Sequence, residues 1–194
     1  MIKIDSAILN SEAFTSLLEK VESLTFKKGE LILKGGEICK YLFIVENGLL
    51  RNFYYDGKGN DITHWFAKEK MIITAPESFF NQEKSFFNIE AIEDTRVIAI
   101  RFEVLEKAFE GSKAIERFGR ILTTQIMITL GRKIIDLQTK NAEARYNEVI
   151  ENYPDIFRRV NLGHIASYLG MTQQSLSRIR NNSLKSVLQD LYAT

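Results

Sequence analysis

The chain has 194 residues, 45% of them apolar and 26% charged, enough for one large domain or two modest ones around a buried core. Its single cysteine, Cys39, excludes a disulfide framework, a four-cysteine zinc site and a self-contained iron–sulfur cluster, and its two histidines, His64 and His164, lie too far apart in sequence for a dense metal site. The formal net charge of +1 hides an asymmetry: residues 1–110 carry 14 basic and 18 acidic side chains, residues 111–194 carry 12 and 7.

No apolar run approaches the roughly 20 residues of a membrane span, and the first residues lack the pattern of a signal peptide, so a cytoplasmic protein with no membrane partner is expected. SEAFTSLLEKV (11–21) reads as a short amphipathic helix, with Phe14, Leu17, Leu18 and Val21 on one face. Six of the 11 glycines then fall between Gly29 and Gly59. They separate short β-branched and aromatic runs at 30–34, 41–46, 49–55 and 61–67, with DGKGN (56–60) as a hairpin loop. Further strands follow at 85–93 and 95–102. Strands at this spacing predict a sandwich or barrel.

Beyond Phe102 the period changes to helical. A short helix is predicted over 104–112, then a long proline-free helix over 112–141. The long helix carries two apolar stripes. Met127, Leu130, Ile134 and Leu137 have coiled-coil spacing, and Ala114, Ile121, Ile128 and Ile135 recur every seven residues. One stripe is expected to cover the chain's own β-domain and the other a second copy, which predicts a homodimer. A further helix over 144–153 stops before Pro154.

NLGHIASYLGMTQQSLSRIRNN (161–182) carries the most specific pattern. Asn161 suits an N-cap, and Ile165, Ala166 and Leu169 share one face. Gly170 marks a sharp turn, Thr172 caps a second helix, and Leu176 and Ile179 face inward. These offsets are those of a helix-turn-helix. The stretch 156–189 contains no acid, which fits a polyanionic partner. On the outward face, Gln173, Gln174, Ser177 and Arg178 are the side chains suited to base edges in the major groove of double-stranded DNA. Thr172, Ser175, Arg180, Arg158, Arg159 and Lys185 are read as phosphate contacts.

With these segments in order, the chain resembles the Crp/Fnr transcriptional regulators, in particular their short Bacteroidetes-type members. FKKGELILKGGE (26–37), YLFIVENGLLRNFY (41–54), IEAIEDTRVIAIRFEVLEK (89–107) and the segment 142–180 carry the resemblance. It implies an α+β architecture: an N-terminal jelly-roll-like β-barrel similar to a cyclic nucleotide-binding domain (1–110), a dimerisation helix (111–141) and an all-α helix-turn-helix domain (142–194). It also implies that Gln174, Ser177 and Arg178 occupy the base-reading positions. Many members carry Glu at position 174, and Gln there alters the base preference the family would pass on. RNA polymerase and a small-molecule effector are the further partners such a regulator has, and the target site and the sign of regulation stay open.

Cyclic-nucleotide-binding relatives hold the ligand through Gly-Glu and Arg-Ser. Here the corresponding stretch, TAPESFFNQEKSFF (74–87), lacks both pairs, and without the guanidinium fork no bidentate phosphate partner exists, so cAMP binding is not expected and no cofactor is assigned. Arg51, Glu77, Ser78 and Ser85 are the candidates for lining an effector pocket. A metalloenzyme of cupin type would need clustered ligands that DITHWF (61–66) does not supply, and neither histidine has a nucleophile motif around it, so the chain is not read as an enzyme. The competing reading is a dimeric ligand-binding β-roll without DNA-binding output.

Overall fold

A computed structural model describes residues 15–17 and 19–192, with side chains as far as residue 183. Of the N-terminal helix predicted over 11–21, residues 11–14 and 18 lie outside the described residues, while residues 15–17 are helical and Leu17 is buried in the core. Eight strands follow, every pairing antiparallel: β1 (Glu22–Phe26), β2 (Leu31–Leu33), β3 (Tyr41–Asn47), β4 (Leu50–Tyr55), β5 (Asp61–Ala67), β6 (Ile72–Ile73), β7 (Asn88–Ala91) and β8 (Thr95–Arg101). They form two four-stranded sheets, ordered β1-β8-β3-β6 and β2-β7-β4-β5. Leu33, Phe43, Val45, Leu50, Ile89 and Val97 are buried in the core of this roll. The strands β1 and β6 are additions to the expected set. The stretch 74–87 contains a short helix, α1 (Pro76–Asn81), which Pro76 opens at a position where its missing N–H costs nothing.

The helices that follow are α2 (Phe102–Gly111), α3 (Lys113–Thr139), α4 (Ala142–Asn152), α5 (Ile156–Arg159), α6 (Leu162–Tyr168) and α7 (Gln173–Tyr192). Ser112 caps α3 by accepting a hydrogen bond from Ile115 N, and the helix is about 40 Å long at 1.5 Å per residue. Its N-terminal end is anchored: Ile115 is buried in the roll core, and the Phe109 ring lies so close to Gly119 that a Cβ there would meet it at 2.7 Å. Near its other end, Lys133 donates to the backbone oxygen of His64 on β5 at 2.6 Å. Between these anchors α3 stands clear. Residues 123–129 are all exposed, and Met127 is 65% exposed.

This corrects one expectation. Neither apolar stripe of α3 covers the chain's own roll through its middle, because only the helix ends are held against it. Ile121, Ile128 and Ile135 are exposed along with Met127, Ile134 and Leu137. After the helix-turn-helix, α7 continues to Tyr192. Among the described residues, no helix is long and apolar enough to cross a membrane.

Candidate nucleic-acid interface

Local capping signals build the unit at 161–181. Asn161 Oδ1 accepts from His164 N at 2.8 Å and opens α6. The helix closes with paired bonds from Met171 N to Ala166 O and from Gly170 N to Ser167 O, both 3.0 Å, around Gly170 at φ +65°. That is the glycine-terminated closure in which a left-handed residue satisfies the last carbonyls. Thr172 Oγ1 then accepts from Ser175 N at 3.2 Å and starts α7. Ile165, Ala166, Leu169 and Leu176 are buried where the two helices cross. The small side chain of Ala166 allows that close crossing.

The opposite face of α7 is open. Gln173, Gln174, Ser177, Arg178 and Asn181 line one shared depression, and all five are exposed. No side-chain hydrogen bond engages Gln173, Gln174, Ser177 or Arg178 among the described residues. Four of the five side chains carry an amide or guanidinium group that can offer paired hydrogen bonds.

The six side chains expected at phosphates divide. Arg158 is exposed. Thr172 and Ser175 share a hydrogen bond of 2.9 Å at the helix cap. Arg180 turns back over the Phe157 ring, 5.8 Å from its centroid. Lys185 lies within α7, but its side chain is outside the described residues. Arg159 points to the roll, where Glu69 and Glu93 hold its guanidinium together with Asp155 from the turn before α5, so a phosphate would have to displace three carboxylates.

Three of the four candidate effector residues are also committed. Arg51 is 1% exposed, ion-paired with Asp61 and Glu90, bonded to Thr63 Oγ1 at 3.0 Å and stacked on Phe53. Ser78 Oγ accepts from Cys39 N and donates to Glu83 O. Ser85 Oγ donates to Phe87 O and accepts from Phe87 N, closing a local turn. Glu77 is exposed in the first turn of α1. The structure therefore does not bring these four together as a pocket. Beside them, His64, Tyr54, Phe86 and Phe87 form a connected aromatic cluster, with ring centroids 4.9–5.9 Å apart.

The seam between roll and helix-turn-helix contains groups that the sequence reading did not assign. Leu49, Phe66 and Ile92 of the roll belong to the same buried cluster as Ile156, Ile165 and Leu169, and Phe66 packs on Tyr168 with centroids 5.3 Å apart. Ser167 on α6 accepts from Thr63 N at 2.8 Å and donates to Asp61 O at 3.2 Å. Lys133 Nζ sits 3.9 Å over the Tyr168 ring. Burial pushes this amine down to about 8, and burial together with the Lys133 charge pushes His64 down to about 4. Burial raises the Tyr168 phenol. Only the uninterrupted Arg158–Arg159 pair hinted at the seam in the sequence, and nothing local shows that the second arginine faces acids more than 60 residues away.

A β-roll, a long free-standing helix and a capped helix-turn-helix together make up the described architecture. Residues 23–112 match the cyclic nucleotide-binding domain family. The chain is 26% identical to electron transport regulator A of Shewanella oneidensis, covering 93% of this chain and 76% of that one. Its fold is similar to that of FixK2 from Bradyrhizobium japonicum, with a TM-score of 0.72, 20% identity and coverage of 86% and 85%. It is also similar to a crp/fnr-family regulator from Eubacterium rectale, with a TM-score of 0.70, 19% identity and coverage of 90% and 84%. Residues 23–112 thus belong to the cyclic nucleotide-binding domain family, and the chain as a whole is similar in fold to regulators of the Crp/Fnr type.

Proposed function

We propose that the chain is a homodimeric, sequence-specific DNA-binding transcriptional regulator and not an enzyme. The observation that carries this reading is the exposed face of α7, where Gln173, Gln174, Ser177 and Arg178 stand side by side without internal partners while the rest of the unit is capped and packed. Base edges in the major groove offer the complementary acceptors and donors. The exposed apolar residues of α3 support dimerisation: Met127, Ile134, Ile135 and Leu137 lie on a helix middle and end that the roll leaves bare. Gly131 has no neighbour within 4 Å at its Cβ position, which leaves room for a second helix to approach. Two such units related by a two-fold axis would read half-sites about 34 Å apart. Arg158, Thr172 and Ser175 are the phosphate contacts this reading retains, with Lys185 further along α7.

The residues of the roll do not fit a cyclic nucleotide. Its phosphate needs a bidentate cation, and Arg51, the arginine inside the roll, is already saturated by Asp61 and Glu90. Ser85 is bonded to its own loop, and Phe86 and Phe87 follow it directly. We therefore read the roll as a filled scaffold, free of cyclic nucleotide, that carries the dimer helix and the reading unit. Selection of random DNA duplexes by the full chain tests the function: enrichment of a near-palindrome supports it. Enrichment of nothing at low salt, from a protein that is dimeric, would favour a β-roll module without DNA-binding output. Isothermal titration with cAMP should give no heat of binding.

A further inference from the structure

Arg159 pairs with three carboxylates, more than any other cation among the described residues. It ends α5, two residues before the Asn161 cap that opens α6. Its guanidinium makes two paired contacts with the roll. Nη2 and Nη1 donate to the two oxygens of Glu69 at 2.8 and 3.1 Å, and Nη2 and Nε donate to those of Glu93 at 2.6 and 3.3 Å. Asp155, on the turn before α5, takes a further bond from Nη1 at 3.0 Å. Glu69 lies in the turn between β5 and β6, and Glu93 in the turn between β7 and β8. Each of those turns crosses from one sheet of the roll to the other. One side chain thus ties the helix-turn-helix to both sheets at the same end of the roll. The acceptor Glu69 is itself fixed by Gly48 N at 3.0 Å.

Two further ties lie elsewhere on the seam: Ser167 against the backbone of β5, and Tyr168 between Phe66 and Lys133. Arg159 holds the unit at one place and the adjacent Ser167 and Tyr168 at another, and attachment at two places restrains rotation as well as distance. α7 is rigidly packed on α6 through Ala166 and Leu176, so whatever fixes α6 also fixes the reading face. An arginine suits this task because its planar fork meets two carboxylates at defined angles, which the point charge of a lysine does not reproduce.

We propose that Arg159 is a positioning residue for DNA recognition: held by Glu69 and Glu93, it sets the angle of the reading helix on the roll and thereby the half-site spacing that the dimer accepts. The inference rests on the DNA-binding reading above. It excludes the phosphate role the sequence suggested for this side chain, since its donors are spent on carboxylates. A lost phosphate contact and a lost clamp have different signatures. Each phosphate neutralised contributes about 0.9 to the slope of log K against log salt, whereas a clamp contributes nothing to it.

The test uses the full chain and a series of duplexes carrying the selected half-sites with the central spacer varied by one or two base pairs. The native protein is expected to prefer one spacing at least tenfold over its neighbours. Arg159→Gln, and separately the Glu69→Gln/Glu93→Gln pair, should reduce that preference to twofold or threefold. Base preference within each half-site and the salt slope should be unchanged. The carboxylate pair serves as a second route should Arg159→Gln fold poorly, because it leaves the arginine in place and lies far from the reading face. Strict spacing retained in both variants would overturn the proposal. So would a salt slope about 1.8 shallower for the Arg159→Gln dimer, which would mark one phosphate contact per subunit. If the native protein enriches no palindrome, the DNA reading fails and the proposal falls with it; a native palindrome with spacing unaffected by the variants sinks the positioning role alone.

Discussion

Arg178 and Arg51 show how one residue type serves opposite ends of the molecule. Arg178 is exposed on α7 with no partner for its guanidinium among the described residues, and bidentate contact with a guanine edge is the interaction its fork favours. Arg178→Ala should cost about 1–3 kcal/mol in DNA binding and relax preference at one base pair per half-site, read by competition between single-base variants of the selected site. Arg51, by contrast, is sealed between Asp61 and Glu90, and its removal leaves two carboxylates without their counter-charge. Arg51→Ala should lower unfolding stability by about 3 kcal/mol, measured by denaturant titration. Lys133 adds a pH dependence. Its folded pKa, about 8, lies below the ordinary lysine value, so the charged amine opposes folding at neutral pH and the penalty lifts as pH rises from about 8 to 10. The raised Tyr168 phenol acts in the other direction above about pH 10, where the unfolded chain ionises first. Stability should therefore climb between pH 8 and 10 in thermal melts, and Lys133→Met should flatten that climb.

At the scale of elements, α3 is the clearest case of a pattern read correctly and assigned incompletely. Its two stripes were legible because a helix repeats its faces every few residues, and the seam-like spacing of Met127, Leu130, Ile134 and Leu137 is independent of what covers it. Which stripe meets which surface depends on where the helix is anchored, and Ile115, Gly119 and Lys133 anchor only its ends. Ile134→Asp places a carboxylate in the bare stripe at a residue 58% exposed in the single chain, so the fold should survive. Dimer dissociation should rise about 100-fold, equivalent to about 2.7 kcal/mol, seen by sedimentation velocity across a concentration series. The helix-turn-helix was legible for a different reason: caps, glycine turn and inward apolar residues all lie within 22 consecutive positions. The strand β6 escaped because it is only the dipeptide Ile72–Ile73, formed by pairing with β3, and β1 because its five residues, ESLTF, include only two apolar side chains. The commitments of Arg159 and Arg51 were hidden since their partners come from other strands and turns.

For the whole molecule, the division of charge takes on a structural meaning. The acidic half supplies Glu69 and Glu93, which neutralise one cation of the basic half, and Arg180 is turned toward Phe157. Few cations are left to face a polyanion, so binding should depend on dimerisation and on directed contacts more than on bulk attraction. The salt dependence of binding to the selected site should accordingly be shallow, with a log–log slope smaller in magnitude than about 6. A slope near 10 would show that cations outside the described face take part.

The hydroxyl of Ser167 accepts the Thr63 amide and donates to the Asp61 carbonyl, two polar groups along one border of β5. That strand is the outermost of its sheet. An outermost strand left bare is a template for pairing with other chains, and native proteins blunt such borders. In this molecule the blunting is done by a serine from the other domain, with Phe66 and Leu49 shielded alongside it. The roll therefore depends on this cover: a truncation ending at residue 141, which keeps α3, should assemble beyond a dimer through β5 at micromolar concentration, while the intact chain should stop at the dimer. The reading unit is, on this account, also the guard against misassembly of the domain that carries it.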